Sequence, residues 1–215
     1  MNSLIESTEI KTLKKEIAYF MRRLYKRGLT TTFGGNISVR IKNFVLITAS
    51  QTDKGRMKAA DICVLNTDGQ QIDKKRKVSM ETSMHLAIYA ARPDISAIVH
   101  AHPPVASSFA VSHQNINTRL TAEAWAVLRE VVLADYALMG TTELAQTVAK
   151  ASVDAAVVLM ENHGVLAVGQ SLIEAFDRVE VLENAAKIHI LSKLSGQQTE
   201  LTPMQIQAIT KIIGL

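Results

Sequence analysis

The chain has 215 residues, 47% of them hydrophobic and 5% aromatic, with a formal net charge of +4. That length and composition suit one domain, expected over residues 1–215, built on an aliphatic core of Ala, Val, Ile and Leu. A membrane span is excluded because no apolar run approaches about eighteen residues, and nucleic acid is not expected as a partner because the clearest basic cluster (Lys74, Lys75, Arg76, Lys77) carries no interleaved aromatics and reads as a solvated loop.

In chain order, Leu4, Ile10, Leu13, Ile17, Phe20, Met21 and Leu24 recur at helical spacing, so residues 3–27 form an amphipathic helix that Gly28 stops. The start of the chain shows no apolar signal region, and the lone Cys63 has no internal disulfide partner; both fit a cytoplasmic protein. ISVR and FVLI, split by Lys42 and Asn43, read as a hairpin. ITASQTDKGRM is a loop, and ADICVLN is a strand that holds Cys63 as a small core residue. Ser79 opens a helix over residues 80–91 that Pro93 ends. SAIVHA is a short strand, PPVASSFAVS a helix, VVLADY a strand and TTELAQTVAKAS a capped helix. DAAVVLM and VLAVG are strands joined by the turn ENHG; a long helix from Ser171 and a closing helix from Pro203 follow. Hairpins and helices interleaved predict an α/β fold, a three-layer arrangement with a mixed or antiparallel central sheet flanked by helices.

His100 and His102 raise the functional question. Residues i and i+2 of a strand share a face, so the two imidazoles stand together in an apolar run. A metal ion satisfies such a pair, one ring nitrogen ligating and the other donating to an outer partner. Buried histidines bonded to backbone are the alternative. His163, in the turn after a buried strand, and Glu81, in the first turn of a helix where the dipole favours a carboxylate, would complete a set of three nitrogens and one carboxylate. That set suits Zn²⁺ (zinc) or another divalent ion such as Mn²⁺ or Co²⁺. His85, one turn beyond Glu81, is read as orienting its helix, and His113 and His189 as surface or structural residues.

Three segments, GGNISVR (34–40), SMETSMHLAIYAARPDISAIVHAHPP (79–104) and ENHGVLAVG (161–169), together with DYALMGTTELA (135–145), resemble the class II aldolase/adducin-head family in order and spacing. The resemblance implies that His100, His102, His163 and Glu81 hold the metal and that Glu81 is also the acid/base. It implies a metal-dependent aldolase that cleaves a phosphorylated ketose, through a metal-stabilised enediolate, to dihydroxyacetone phosphate or a similar ketone plus an aldehyde. The same chemistry serves sugar-phosphate 4-epimerases, methylthioribulose-phosphate dehydratases and decarboxylases of 3-oxo-acid phosphates. Adducin-like interaction modules typically lack the histidines that are present here.

The resemblance also implies a homotetramer and a substrate site at Gly35, Asn36, Ser50, Gln51 and Ser79. Departures stand at this site. Gln51 replaces the glycine of the family's Thr-Gly dipeptide and is expected to narrow the pocket; Met80 replaces one of two serines. Lys54 and Arg56 read as a solvated loop, or else as charge that compensates for those losses. A sugar acid bound through its carboxylate is the alternative substrate. The tyrosine that aldolases of this family take from a neighbouring subunit is missing, and Glu123 is the only carboxylate suggested in its place.

Overall fold

A computed structural model describes residues 7–73 and 76–214. Residues 3–6 of the expected first helix, with Lys74 and Lys75 of the basic cluster, lie outside the described residues. Helix α1 (Thr8–Lys26) is capped by the Ser7 hydroxyl and buries Ile10, Ile17, Phe20, Met21 and Leu24. Strands β1 (Asn36–Ile41) and β2 (Phe44–Thr48) pair through a two-residue turn in which Lys42 is left-handed. Then come β3 (Ile62–Asn66), α2 (Thr82–Ala91), β4 (Ala97–Ala101) and α3 (Pro104–Val111). Further on are α4 (Ala122–Leu128), β5 (Val131–Ala134), α5 (Thr142–Ala151), β6 (Val157–Met160), β7 (Gly164–Gly169), α6 (Leu172–Ser195) and α7 (Pro203–Ile212). Among the described residues, no helix is long and apolar enough to cross a membrane.

All seven strands join one mixed sheet in the order β3-β2-β1-β4-β7-β6-β5. Every pairing is antiparallel except β5 with β6. Period-2 alternation splits the core between the two faces. Ile37, Val39, Val99, Leu159, Val165 and Ala167 pack with α1, α3, α4 and α6 on one side. Ile98, Val158, Leu166 and Val168 pack with α2 and α5 on the other. The expected three layers are therefore present. His100 shares the parity of Ile98, and its register partner Asn36 shares that of Ser38, so both face the α2 layer. That parity puts the histidine pair and the α2 N-terminus on one face of the sheet.

α2 begins at Thr82 rather than at residue 80. The Ser79 carbonyl accepts from the Thr82 amide, and the Ser79 hydroxyl accepts from the Glu81 amide. Ser79 thus closes a tight turn first, and Glu81 becomes the residue at the helix N-cap. Cys63 is 1% exposed, and burial raises its thiol to about 11, in keeping with a core role.

Arg40 fastens the segment between α2 and β4. Its guanidinium donates to the carbonyls of Tyr89, Arg92, Pro93 and Ile95 and lies 4.9 Å over the Tyr89 ring. A lysine keeps the charge but cannot reach four carbonyls from a planar fork. Arg40→Lys is expected to cost about 2 kcal/mol and to lower Tm by roughly 4–8 °C, read by circular dichroism.

Candidate active site

The register of β4 between β1 and β7 builds the site. His100 is fully buried, and its Nδ1 donates to the Val165 carbonyl on β7 at 2.9 Å. That fixes the tautomer, leaving Nε2 with a lone pair. Around this nitrogen stand His102 Nε2 at 3.0 Å and Glu81 Oε2 at 3.3 Å. His163 Nε2 lies 3.1 Å from Glu81 Oε1. The ring nitrogens of His100, His102 and His163 can all lie within 4.8 Å of one another. His102 stands just past the end of β4, its amide bonded to the Leu29 carbonyl.

Glycine makes this approach feasible. A Cβ on Gly164 would meet His102 Cδ2 at 2.5 Å and the Ala101 carbonyl at 2.6 Å. Gly35, in the left-handed region at φ +67°, would set a Cβ 2.7 Å from the His100 carbonyl. The glycines of the GGN and NHG turns therefore let two chain segments close over the histidine pair.

Behind Glu81 runs a buried chain of hydrogen bonds that residue spacing alone did not reveal. Asn36 Nδ2 donates to Glu81 Oε2 at 2.6 Å, so Asn36 Oδ1 faces His85 and accepts from its Nε2. His85 Nδ1 then accepts from the Ser38 hydroxyl at 2.7 Å, and the Tyr89 hydroxyl lies 2.9 Å from Ser38 Oγ and donates to the Ser96 carbonyl at 3.3 Å. From Ser38 onward every donor points toward the carboxylate. His85 is thus an orienting residue, as its place one turn after Glu81 suggests. Asn36 lines the cleft, but both ends of its amide are already engaged.

Burial makes ionisation of Glu81 costly, yet attraction to His100 and His163 in their protonated forms, with the hydrogen bonds from His163 and the Asn36 amide, outweighs it and holds the carboxyl well below the usual carboxylate range. Burial lowers His100, and it pushes His102 and His85 down to about 3. Burial thus favours the neutral form of His100 and His102, the form a metal ligand needs. Three imidazoles and one carboxylate, with the His100 lone pair facing that carboxylate, make a donor set that fits a divalent cation.

The site opens into a cleft of about 360 Å³. Of the expected substrate residues, Gly35, Asn36, Ser50 and Ser79 line it, together with Glu81, His102 and His163. Gln51 does not: it is exposed, and its backbone holds the left-handed φ of 52° for which glycine is the cheaper residue. The expectation that Gln51 narrows the pocket is corrected accordingly. Lys54 also corrects its loop reading: it is 2% exposed and lines the cleft, whereas the Arg56 side chain is exposed. Phe33, Gly34, Met80, Met139 and Asn162 complete the lining and were not anticipated as binding residues. Glu123 is exposed on α4 and lines no part of this cleft. His113 pairs with Glu161 at 2.7 Å, and His189 accepts from the Asn117 amide.

Comparison with known proteins bears on this geometry. The family model for the class II aldolase and adducin N-terminal domain matches residues 15–190. The chain is 35% identical over 181 residues to the L-fuculose phosphate aldolase of Methanocaldococcus jannaschii, covering 84% of this chain and 97% of that one. It is 32% identical over 203 residues to the 5-deoxy-D-ribulose 1-phosphate aldolase of Bacillus thuringiensis serovar kurstaki, covering 92% and 93%. A solved L-fuculose 1-phosphate aldolase superposes with a TM-score of 0.87 at 34% identity, covering 97% and 98%.

Gly164→Ala tests the packing at the histidine pair. The added methyl must displace His102, so affinity for Zn²⁺ is expected to fall about 10- to 100-fold, measured by competition with a chromophoric chelator, while the far-UV circular dichroism is unchanged.

Proposed function

The chain belongs to the class II aldolase and adducin N-terminal domain family, and on that footing we propose that it is a divalent-metal-dependent carbon–carbon lyase. Its proposed substrate is a phosphorylated ketose, cleaved to a ketone such as dihydroxyacetone phosphate and an aldehyde. The observation that carries this reading is the His100 Nε2 lone pair facing the Glu81 carboxylate at 3.3 Å, at the floor of a cleft.

His100, His102 and His163 would hold the ion, with Glu81 as the exchangeable fourth ligand. A bound Zn²⁺, Mn²⁺ or Co²⁺ ion supplies a Lewis acid for negative charge developing on a carbonyl oxygen, worth several kcal/mol. Glu81 is ionised and sits at the cleft, so in the condensation direction it takes a proton from the hydroxymethyl carbon of the ketone. In the cleavage direction the β-hydroxyl proton passes to the ionised Glu81, the carbon–carbon bond breaks with its electron pair left on the ketone half as the aldehyde carbonyl forms, and Glu81 delivers that proton to the ketone carbon. The Asn36 amide keeps one oxygen of Glu81 fixed through these steps. Ser50, Ser79 and the Gly34–Gly35 backbone line the place where the phosphate would bind.

Seven strands in one sheet support reading the chain as a single domain. Phe33, Met80 and Met139 expose more than half of their surface at the cleft. That apolar rim supports a homotetramer in which a second copy covers the site. A cytoplasmic location is the companion reading.

The test is proton exchange. In D₂O, metal-loaded protein is expected to wash out one hydroxymethyl proton of dihydroxyacetone phosphate, followed by NMR. Glu81→Gln should retain the ion on three imidazoles and slow exchange by about 10²- to 10⁴-fold. Exchange by Glu81→Gln at the wild-type rate would remove Glu81 from the chemistry.

A further inference from the structure

Lys54 is among the largest fully buried side chains in the protein. Its ammonium donates to the Ala49 carbonyl at 2.9 Å and to the Thr52 hydroxyl at 3.3 Å. Both acceptors are neutral. Among the described residues no carboxylate lies within ion-pair distance of it, and its third proton has no protein acceptor. Neutral acceptors satisfy protons but do not compensate charge, and a buried ammonium without a counter-ion is strongly unfavourable.

The surroundings fix this charge beside the cleft. The Lys54 amide donates to the Thr32 carbonyl at 3.0 Å, which ties the DKGR turn to the segment leading into Gly34 and Gly35. Asp53 caps the turn through the Gly55 amide at 2.9 Å. Lys54 lines the same cleft as Ser50 and Ser79. The serine hydroxyls can donate to an anion, and neither competes as a negative charge.

We propose that Lys54 is the specificity-determining residue of the cleft: its ammonium is the cationic partner for a phosphate monoester carried by the substrate. The assignment rests on the proposed lyase reading and adds to it the group that discriminates a phosphorylated donor from its neutral counterpart. It also accounts for one departure from the family pattern, since a buried charge offsets the hydroxyl lost at Met80. Burial holds the Lys54 ammonium down to about 8, against the opposing influence of Asp61, so a bound dianion would relieve a real cost.

A supporting role and a binding role for Lys54 predict opposite signs. Lys54→Met removes an uncompensated buried charge and leaves the apolar stem. Its Tm, in metal-loaded protein without added anion, is expected to equal or exceed the wild type. Inorganic phosphate should raise the Tm of the wild type and leave that of Lys54→Met unmoved. In the D₂O exchange assay, Lys54→Met should lower kcat/KM for dihydroxyacetone phosphate by about 10- to 100-fold, chiefly through KM, the scale of a lost charge-assisted hydrogen bond. Exchange into unphosphorylated dihydroxyacetone should not change.

Should Lys54→Met fail to fold, Lys54→Gln keeps a donor for the Ala49 carbonyl without the charge, and the same readings apply. A phosphate-dependent rise in Tm that persists in the neutral variants overturns the proposal. So does a lowered Tm with an unaltered KM, which would make Lys54 a structural residue, and so does a wild type that does not respond to phosphate. If the wild type responds to phosphate through Lys54 but exchanges neither ketone, the lyase reading fails while the assignment of Lys54 stands.

Discussion

His100 gives its only ring proton to the Val165 carbonyl, across the pairing of β4 with β7. Two strand residues set in register by the backbone ladder thereby fix a lone pair inside the protein. That lone pair cannot turn away, because the ring is completely buried. It meets an ionised carboxylate, and two further imidazoles close the ring around it. Repulsion between a lone pair and a carboxylate at such range in a low-dielectric interior is relieved by a cation. The parity of β4, the glycines at positions 35 and 164, and the turn that puts Glu81 at the N-cap of α2 all serve this convergence.

The second layer explains how the carboxylate keeps its place. Ser38, His85 and Asn36 hand hydrogen bonds in one direction toward Glu81, along one face of the sheet, with the Tyr89 hydroxyl packed beside Ser38. A buried polar chain of this kind is favourable only when every member is satisfied. Here the members come from β1 and α2, elements that also share the apolar core with β4. Packing and polar satisfaction therefore specify the same orientation of Glu81. The Arg40 clamp, which binds four carbonyls at and beyond the end of α2, anchors the far end of that helix.

Much of this could be read from residues in order. Alternation of apolar residues gave the strands, and the spacing of His100 and His102 gave a shared face. His163 and Glu81 were found as partners of the right chemistry at the ends of neighbouring elements. What escaped depends on long-range packing. The DKGR turn looks solvated by composition, and its Lys54 is buried only because the turn lies against α1 and the 30–34 segment. Asn36 has the residue type of an anion binder, but its register opposite His100 commits its amide to Glu81 and His85. Gln51, where the family pattern has glycine, holds a left-handed backbone, a fact about φ that composition cannot convey. The start of α2 shifted by two residues because Ser79 bonds locally before the helix ladder begins.

The claim on which everything else rests is that three imidazoles and Glu81 converge on one divalent ion. X-ray absorption at the zinc edge of stoichiometrically loaded protein tests it most directly. We expect one ion per chain with three imidazole nitrogens at about 2.0–2.1 Å and oxygen filling the remaining position, falling to two imidazoles in His163→Ala. An ion bound by one imidazole or none, or a spectrum that His163→Ala leaves unchanged, would contradict it.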